Sequence, residues 1–224
     1  MNERAERVTD YTSRRTMMVD TQVRPSDVTK FPIINAMLAV PREAYVPDSK
    51  REAAYVGENL VLDAGRVMLE PRTLAKMLDA LDVQPSHIVL DIGCGLGYST
   101  AVLSHMCEFV VALEDDEARA EEAQGILSEQ GIDNAAVMTG VLAEGAAKSG
   151  PYDVIILQGG VEQIPDGLLE QLREGGRIIG VFAEGTLGVV RVGRKTDGAV
   201  NWRFAFNASA PVLAGFEKRE VFAL

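Results

Sequence analysis

The run Val89-Leu90-Asp91-Ile92-Gly93-Cys94-Gly95-Leu96-Gly97 constrains this chain more than any other feature. It leaves a short apolar stretch, His87 to Ile92, that reads as a buried strand, and it enters a helix predicted from about Gly97 to Met106. Glycines in such a loop allow positive φ and let the backbone approach a ligand closely. The free N–H groups where a helix begins favour a carboxylate or phosphate. Strand, glycine loop and helix in that order read as a site for a cofactor with an anionic end. A dinucleotide fingerprint needs glycine where Tyr98 stands, so it fails by one residue. What remains is Asp-x-Gly-x-Gly-x-Gly, followed by Glu114 at the end of the next predicted strand, Phe109 to Leu113. An acid there can accept hydrogen bonds from both hydroxyls of an unphosphorylated ribose. The competing readings are a plain tight turn with an acid beside a helix dipole, and a nicotinamide or flavin site.

The pattern on either side predicts an α/β fold with a mostly parallel sheet. A helix is expected from Thr29 to Val40, stopped by Pro41, and residues 41–70 read as irregular with short strands. Residues 1–70 are accordingly expected to be an N-terminal extension packed on a main domain of residues 71–224. Pro71 opens a helix that runs to Leu81 and places Leu74, Met77, Leu78 and Leu81 on one side. An acidic helix follows from Asp115 to Glu129, ended by Gly131. Next come strands at Ala135 to Thr139 and Tyr152 to Gln158, a helix from Pro165 to Arg173, and a strand from Gly176 to Phe182. The tail changes character, because Gly188 to Arg194 and Ala199 to Ala208 flank Thr196-Asp197-Gly198, which signals an antiparallel hairpin.

Charge and cysteine usage narrow the partners. With 33 acidic against 22 basic side chains the formal charge is −11, so a polyanion meets net repulsion unless cations gather on one face. Arg14, Arg15, Lys50, Arg51 and the Lys218-Arg219 pair are scattered, which argues against nucleic acid. Two cysteines, Cys94 and Cys107, make no disulfide framework and fit a reducing cytoplasm. The first twenty residues lack the apolar core of a signal peptide, and no stretch approaches the ~18 apolar residues of a membrane span. The expected protein is soluble and cytoplasmic, without a metal.

The glycine loop and Glu114 together resemble the first two motifs of class I S-adenosylmethionine-dependent methyltransferases. The resemblance narrows over roughly Arg24 to Arg194 to the protein-L-isoaspartate O-methyltransferase family. Ala36 to Pro47, which contains Val40-Pro41-Arg42-Glu43, is similar to the family's segment before the domain. Ala54-Tyr55 through Leu62 resembles the piece that follows, and Val89 to Thr100 resembles its cofactor loop and helix start. Tyr152 to Ile156 resembles its fourth strand, and Ile164-Pro165 through Arg177 its later helix and strand. This resemblance implies a Rossmann-like class I methyltransferase fold and S-adenosyl-L-methionine as cofactor. It also implies a cofactor set of Asp91, Gly93, Cys94, Gly95, Gly97, Tyr98, Glu114 and Asp115. The implied substrate is a protein or peptide carrying an isoaspartyl residue, whose carboxylate is methylated for repair.

Two departures from the family pattern fall near the chemistry. The family's Gly-Gln-Thr-x-Ser-x-Pro loop is here Gly65-Arg66-Val67-Met68-Leu69-Glu70-Pro71, so Leu69 stands where a serine contacts the substrate carboxylate. The family's Gly-Asp-Gly after the third strand is here Gly140-Val141-Leu142. Arg66, Leu69 and Pro71 align with the substrate side, although the serine's role does not carry over to Leu69; Arg66, Glu70 or Arg72 can replace the hydroxyls, for instance through an arginine fork on a carboxylate, with a plain solvated loop as the alternative. Transfer to a carboxylate ionised at neutral pH needs no general base. That agrees with a chain whose two histidines, His87 and His105, read as structural. Cys94 reads as packing, with a reactive thiol as the alternative, and Trp202 and Phe204 read as core or interface. Alongside the repair enzyme stand two other readings: a cofactor-binding homologue without isoaspartate activity, and a small-molecule methyltransferase.

Overall fold

The computed structural model describes residues 11–63, 65–184 and 187–218. Residues 1–10 of the N-terminal segment and Arg219 of the Lys218-Arg219 pair lie outside them. Residues 11–18 form a helix, α1, that runs on through a π turn at Val19–Val23 and a 3-10 turn at Arg24–Ser26. Then come α2 (Phe31–Ala39), two further 3-10 turns, and a short antiparallel pair, β1 (Leu60–Asp63) and β2 (Arg66–Met68). From there the alternation is regular: α3 (Pro71–Leu81), β3 (Ile88–Ile92), α4 (Tyr98–Ser104), β4 (Phe109–Glu114), α5 (Glu117–Glu129), β5 (Ala135–Thr139) and β6 (Tyr152–Val161). A single helical turn, α6 (Asp166–Leu169), leads into β7 (Leu172–Glu184), and β8 (Leu187–Thr196) and β9 (Ala199–Asn207) complete the sheet.

Local sequence accounts for these boundaries. Pro71 occupies the first turn of α3, where a missing N–H costs nothing, and Asp82 ends the helix in the left-handed conformation, donating its N–H to the Leu78 carbonyl. Asp116 caps α5 by accepting from the Arg119 N–H. The helix expected from Pro165 to Arg173 shrinks to one turn because Leu172 already pairs with Tyr152, and β7 claims the residues that follow. Ladder pairing has overridden helical propensity there.

The seven-stranded sheet runs β5-β4-β3-β6-β7-β8-β9, parallel as far as β7 and antiparallel in the last two strands. Strand order reverses between β3 and β6, and ligands of open α/β sheets bind outside the carboxyl ends of the strands at such a switch point. One face is covered by the N-terminal residues, whose Met18, Val23, Ile33 and Met37 share a core with Leu74 and Met77 of α3 and Val102 of α4. The other face packs Leu90, Ile155 and Leu157 against Leu168 and Phe216. Among the described residues, no helix is long and apolar enough to cross a membrane.

Candidate functional site

The glycine loop leaves β3 at the switch point and is tied first to β4. The N–H groups of Gly93 and Cys94 both donate to the Leu113 carbonyl, at 2.8 and 3.3 Å. Gly93, Gly95 and Gly97 all have positive φ, which lets the backbone turn between strand and helix within five residues. Asp91, wholly buried just before the turn, accepts from Ser99 Oγ (2.6 Å) and Thr100 Oγ1 (2.7 Å) at the start of α4, and from Gln158 Nε2 (2.7 Å) on β6. Burial raises its carboxyl above the usual range, and those three donors oppose the shift. Its role in this geometry is to lock strand, loop and helix together.

Glu114, at the carboxyl end of β4, is fully buried, and its two oxygens are filled by the protein. Oε2 accepts from the Gly95 N–H at 2.8 Å and from the Arg66 guanidinium; Oε1 accepts from Arg119 at 2.5 Å and from the Asp115 N–H at 3.2 Å. A carboxylate offers about four acceptor positions, and all are in use. Burial lifts the Glu114 carboxyl upward, and the two guanidiniums and the Gly95 amide pull against it. Arg119 also pairs with Asp63 of β1, so the β1–β2 hairpin is latched to the end of β4 from both of its arms.

The hairpin thereby lies on the glycine loop. A Cβ on Gly93 would sit 2.8 Å from Arg66 Nη1, and a Cβ on Gly95 would sit 2.8 Å from Leu62 Cδ1. On the β6 side the tail closes in. The Gly160 N–H donates to the Pro211 carbonyl at 2.7 Å, and Leu213 packs where a Cβ of Gly159 would be, 2.6 Å from its Cγ. Between the loop, the hairpin and Gln158 there remains a cavity of about 10 Å³, lined mostly by apolar groups that include Leu62, Met68, Leu69 and Leu74. That is room for about one water, whereas cofactor sites occupy roughly 300–1,000 Å³. Beyond Arg66 an open cleft of about 380 Å³ continues past Asp115, Asp116 and Arg119.

Several residues singled out in the sequence are thus brought together: Asp91, Gly93, Cys94, Gly95, Glu114 and Asp115 form one constellation. Others sit differently from expectation. The Arg66 fork does hold a carboxylate, but that carboxylate is Glu114. Leu69 and Pro71 are buried; Leu69, 2% exposed, lines the small apolar cavity beside the loop and no open face. Tyr98 is buried, its ring edge-on to Tyr45 and under the Arg42 guanidinium. Burial pushes the Cys94 thiol far up, which favours the packing reading over the reactive one. His87 accepts from the Gln84 N–H and His105 is exposed at the end of α4, both away from the loop. Val141 is exposed, and Trp202 packs edge-on against Phe182. Arg119, Gln158 and Leu213 were not anticipated. Arg119 was findable five residues after Glu114, on the first turn of the next helix, and Gln158 at the end of a switch-point strand. Leu213 reaches the site only through the tail's path, which no local pattern signals.

Cations that look scattered along the chain also converge in space. Lys30, Lys76, Arg177, Arg194 and Arg203 line one groove of about 770 Å³ beside α3 and β9, interleaved with Asp27, Asp79 and Asp82.

The chain matches the family described as protein-L-isoaspartate(D-aspartate) O-methyltransferase over residues 13–207. It is 33% identical over 191 residues to the protein-L-isoaspartate O-methyltransferase of Koribacter versatilis, spanning 85% of this chain and 86% of that one. It is 36% identical over 166 residues to protein-L-isoaspartate O-methyltransferase 2 of Pelobacter propionicus, 74% of each chain. Its fold overlays a solved protein-L-isoaspartate O-methyltransferase with a TM-score of 0.79 at 26% identity, over 90% of this chain and 66% of the other.

Proposed function

Because this chain belongs to the protein-L-isoaspartate O-methyltransferase family, we propose that it methylates the carboxylate of isoaspartyl residues in proteins with S-adenosyl-L-methionine as donor. The observation that carries this reading is the family match across residues 13–207, which takes in both the glycine loop and Glu114. When bound, the donor supplies a methyl group on a sulfonium, which an aligned nucleophile displaces in line with a neutral leaving group.

The donor set fits that cofactor in its chemistry. Gly93, Gly95 and Gly97 offer backbone to approach, Glu114 and Asp115 stand where a ribose is held, and Asp91 keeps the loop in register through Ser99, Thr100 and Gln158. The space over the loop is filled by Arg66, Leu62 and Leu213, so these side chains must withdraw before a ligand of that size is seated. An acceptor carboxylate is ionised at neutral pH, its reference pKa being ~4, so alignment and exclusion of water are what the protein must provide. The position of both histidines outside the site accords with this.

Residues 1–70 are read as an N-terminal extension of the 71–224 domain, and the two free, buried cysteines accord with a reducing cytoplasm. A second reading, a donor-binding homologue that leaves isoaspartate alone, is favoured by Leu69, which is buried and whose carbonyl is taken by Arg42. Labelled donor incubated with an isoaspartyl peptide separates the two. Transfer above a Glu114→Ala control supports the repair enzyme; binding without transfer supports the second reading. A screen of small carboxylate acceptors then tests the remaining alternative.

A further inference from the structure

Arg66 occupies the position on Glu114 that the donor-site reading reserves for a ribose. Its guanidinium donates to Oε2, the oxygen that also receives the Gly95 amide, and its other nitrogen lies over the bare face of Gly93. Of the four donors on Glu114, two are backbone amides of the loop and strand end, and Arg119 is anchored on α5 by its further contacts with Asp63 and Asp115. Arg66 alone comes from the two-stranded hairpin, which pairs with no strand of the main sheet. A ribose can reach Glu114 only if one of these donors leaves, and Arg66 is the side-chain donor that no second carboxylate among the described residues holds in place.

Arg66 also forms the inner wall of the open cleft. On its outer side the cleft of about 380 Å³ is open, and on its inner side only the cavity of about 10 Å³ remains. Withdrawing this side chain extends the outer cleft onto Gly93 and Glu114, with Leu62 and Leu213 still to move before the inner cavity is reached. The closed arrangement leaves Arg66 Nε buried with no acceptor among the described residues, so the guanidinium is held by one strong contact and not by a complete set. Glu114, for its part, keeps Arg119 and the Gly95 amide when Arg66 leaves, so opening does not strand a buried charge.

We propose that Arg66 is a built-in competitor for the donor's ribose site, so that donor affinity is set by displacement of the Arg66–Glu114 pair. This rests on the donor-site reading above. A ligand whose competent state is a minor fraction binds with its affinity reduced by that fraction. Removing Arg66 therefore tightens binding, the reverse of what loss of a ligand-contacting residue does.

The test is calorimetric titration of S-adenosyl-L-homocysteine into the full chain, Arg66→Ala and Arg66→Met, with amide hydrogen exchange followed over residues 60–68. The Met variant keeps apolar packing in case the Ala variant loses the fold. Both variants are expected to bind at least about tenfold more tightly than the parent. Saturating the parent with ligand is expected to speed exchange in the hairpin while the strands β3 and β4 stay protected. Equal or weaker binding by folded Arg66→Met overturns the proposal, even if the parent binds and methylates normally. If folded parent and variants all fail to bind, the donor-site reading itself falls and the proposal with it.

Discussion

The Arg42 guanidinium donates to the Leu69 carbonyl at 2.8 Å from a position with no solvent exposure. Its Nε also donates to the Ala54 carbonyl at 2.6 Å, and its charge lies 4.7 Å from the Tyr98 ring centroid. One side chain from the N-terminal segment thus fixes the loop before α3 and the first residue of α4. Burial lowers its pKa, with Tyr98 and Tyr55 acting in the opposite sense. Arg42→Met should lose about 3–5 kcal/mol in urea denaturation, since it leaves two buried carbonyls without donors. Arg42→Lys should also be destabilised, because one ammonium cannot span both carbonyls. A loss below about 1 kcal/mol for the Met variant would mean that water replaces the guanidinium.

Gly95→Ala is expected to destabilise by about 1–3 kcal/mol. Its φ of +59° is strained for alanine, and the new methyl meets Leu62 Cδ1 at 2.8 Å. Since Leu62 sits on the hairpin, amide shifts should spread from the loop to residues 60–68 in a two-dimensional NMR spectrum. Shifts confined to the loop would show that Leu62 simply rotates away.

Asp91 gives a pH signature with a definite sign. Its folded pKa is raised by burial, so the stability it contributes is full below the unfolded value of about 4 and is lost as pH rises through the folded value. Asp91→Asn retains polar partners for Ser99, Thr100 and Gln158 without that titration. Relative to wild type, the Asn variant should therefore gain stability between pH 4 and pH 7, read from denaturation midpoints across the series. A relative gain by wild type over that range would contradict the assignment.

Both thiols should be silent in the native protein. Burial pushes Cys107 up to about 12 and Cys94 well above the usual range. At pH 8 the Cys107 thiolate is then about one part in ten thousand, and alkylation should be at least about a hundredfold slower than in urea. Fast native labelling of either cysteine would show that the loop or the end of α4 opens readily.

Leu69→Ser restores the hydroxyl typical of the family position without restoring a substrate contact, because the side chain is 2% exposed and borders only the cavity of about 10 Å³. About 3–5 kcal/mol of stability should be lost through the cavity and the buried hydroxyl, with no gain in isoaspartyl transfer. A rise in transfer would mean that the residue reaches the acceptor after all.

What the sequence made legible follows from range. The βαβα run from Ile88 to Glu129 is visible because apolar runs, the glycines and the Asp116 cap all lie within a few residues of where they act. Glu114 could be placed beside the glycine loop for the same reason: parallel pairing of Ile92 with Leu113 follows from two adjacent strands. Arg66 stands 48 residues from Glu114 in sequence, and its side chain could be read only as a fork in search of a carboxylate. Which carboxylate depends on how the hairpin folds back, and that is tertiary information. The same holds for Leu213, brought to Gly159 by the path of the tail, and for the five cations that meet beside α3 from separate elements. The overlong helix before β7 has another origin, since a periodic apolar pattern cannot show that Leu172 is already paired.

The β1–β2 pair forms a sheet of its own and shares no ladder with the seven strands behind it. The cover is held to the framework by side chains, through Arg66, Asp63 and the apolar contacts of Leu60 and Met68, and adds no rung to the sheet. Substitutions in the hairpin can retune how tightly the site is shut while the main sheet keeps every rung. On the displacement proposed above, a few side-chain changes in the hairpin would move this site from readily loaded to sparingly loaded without a change of topology.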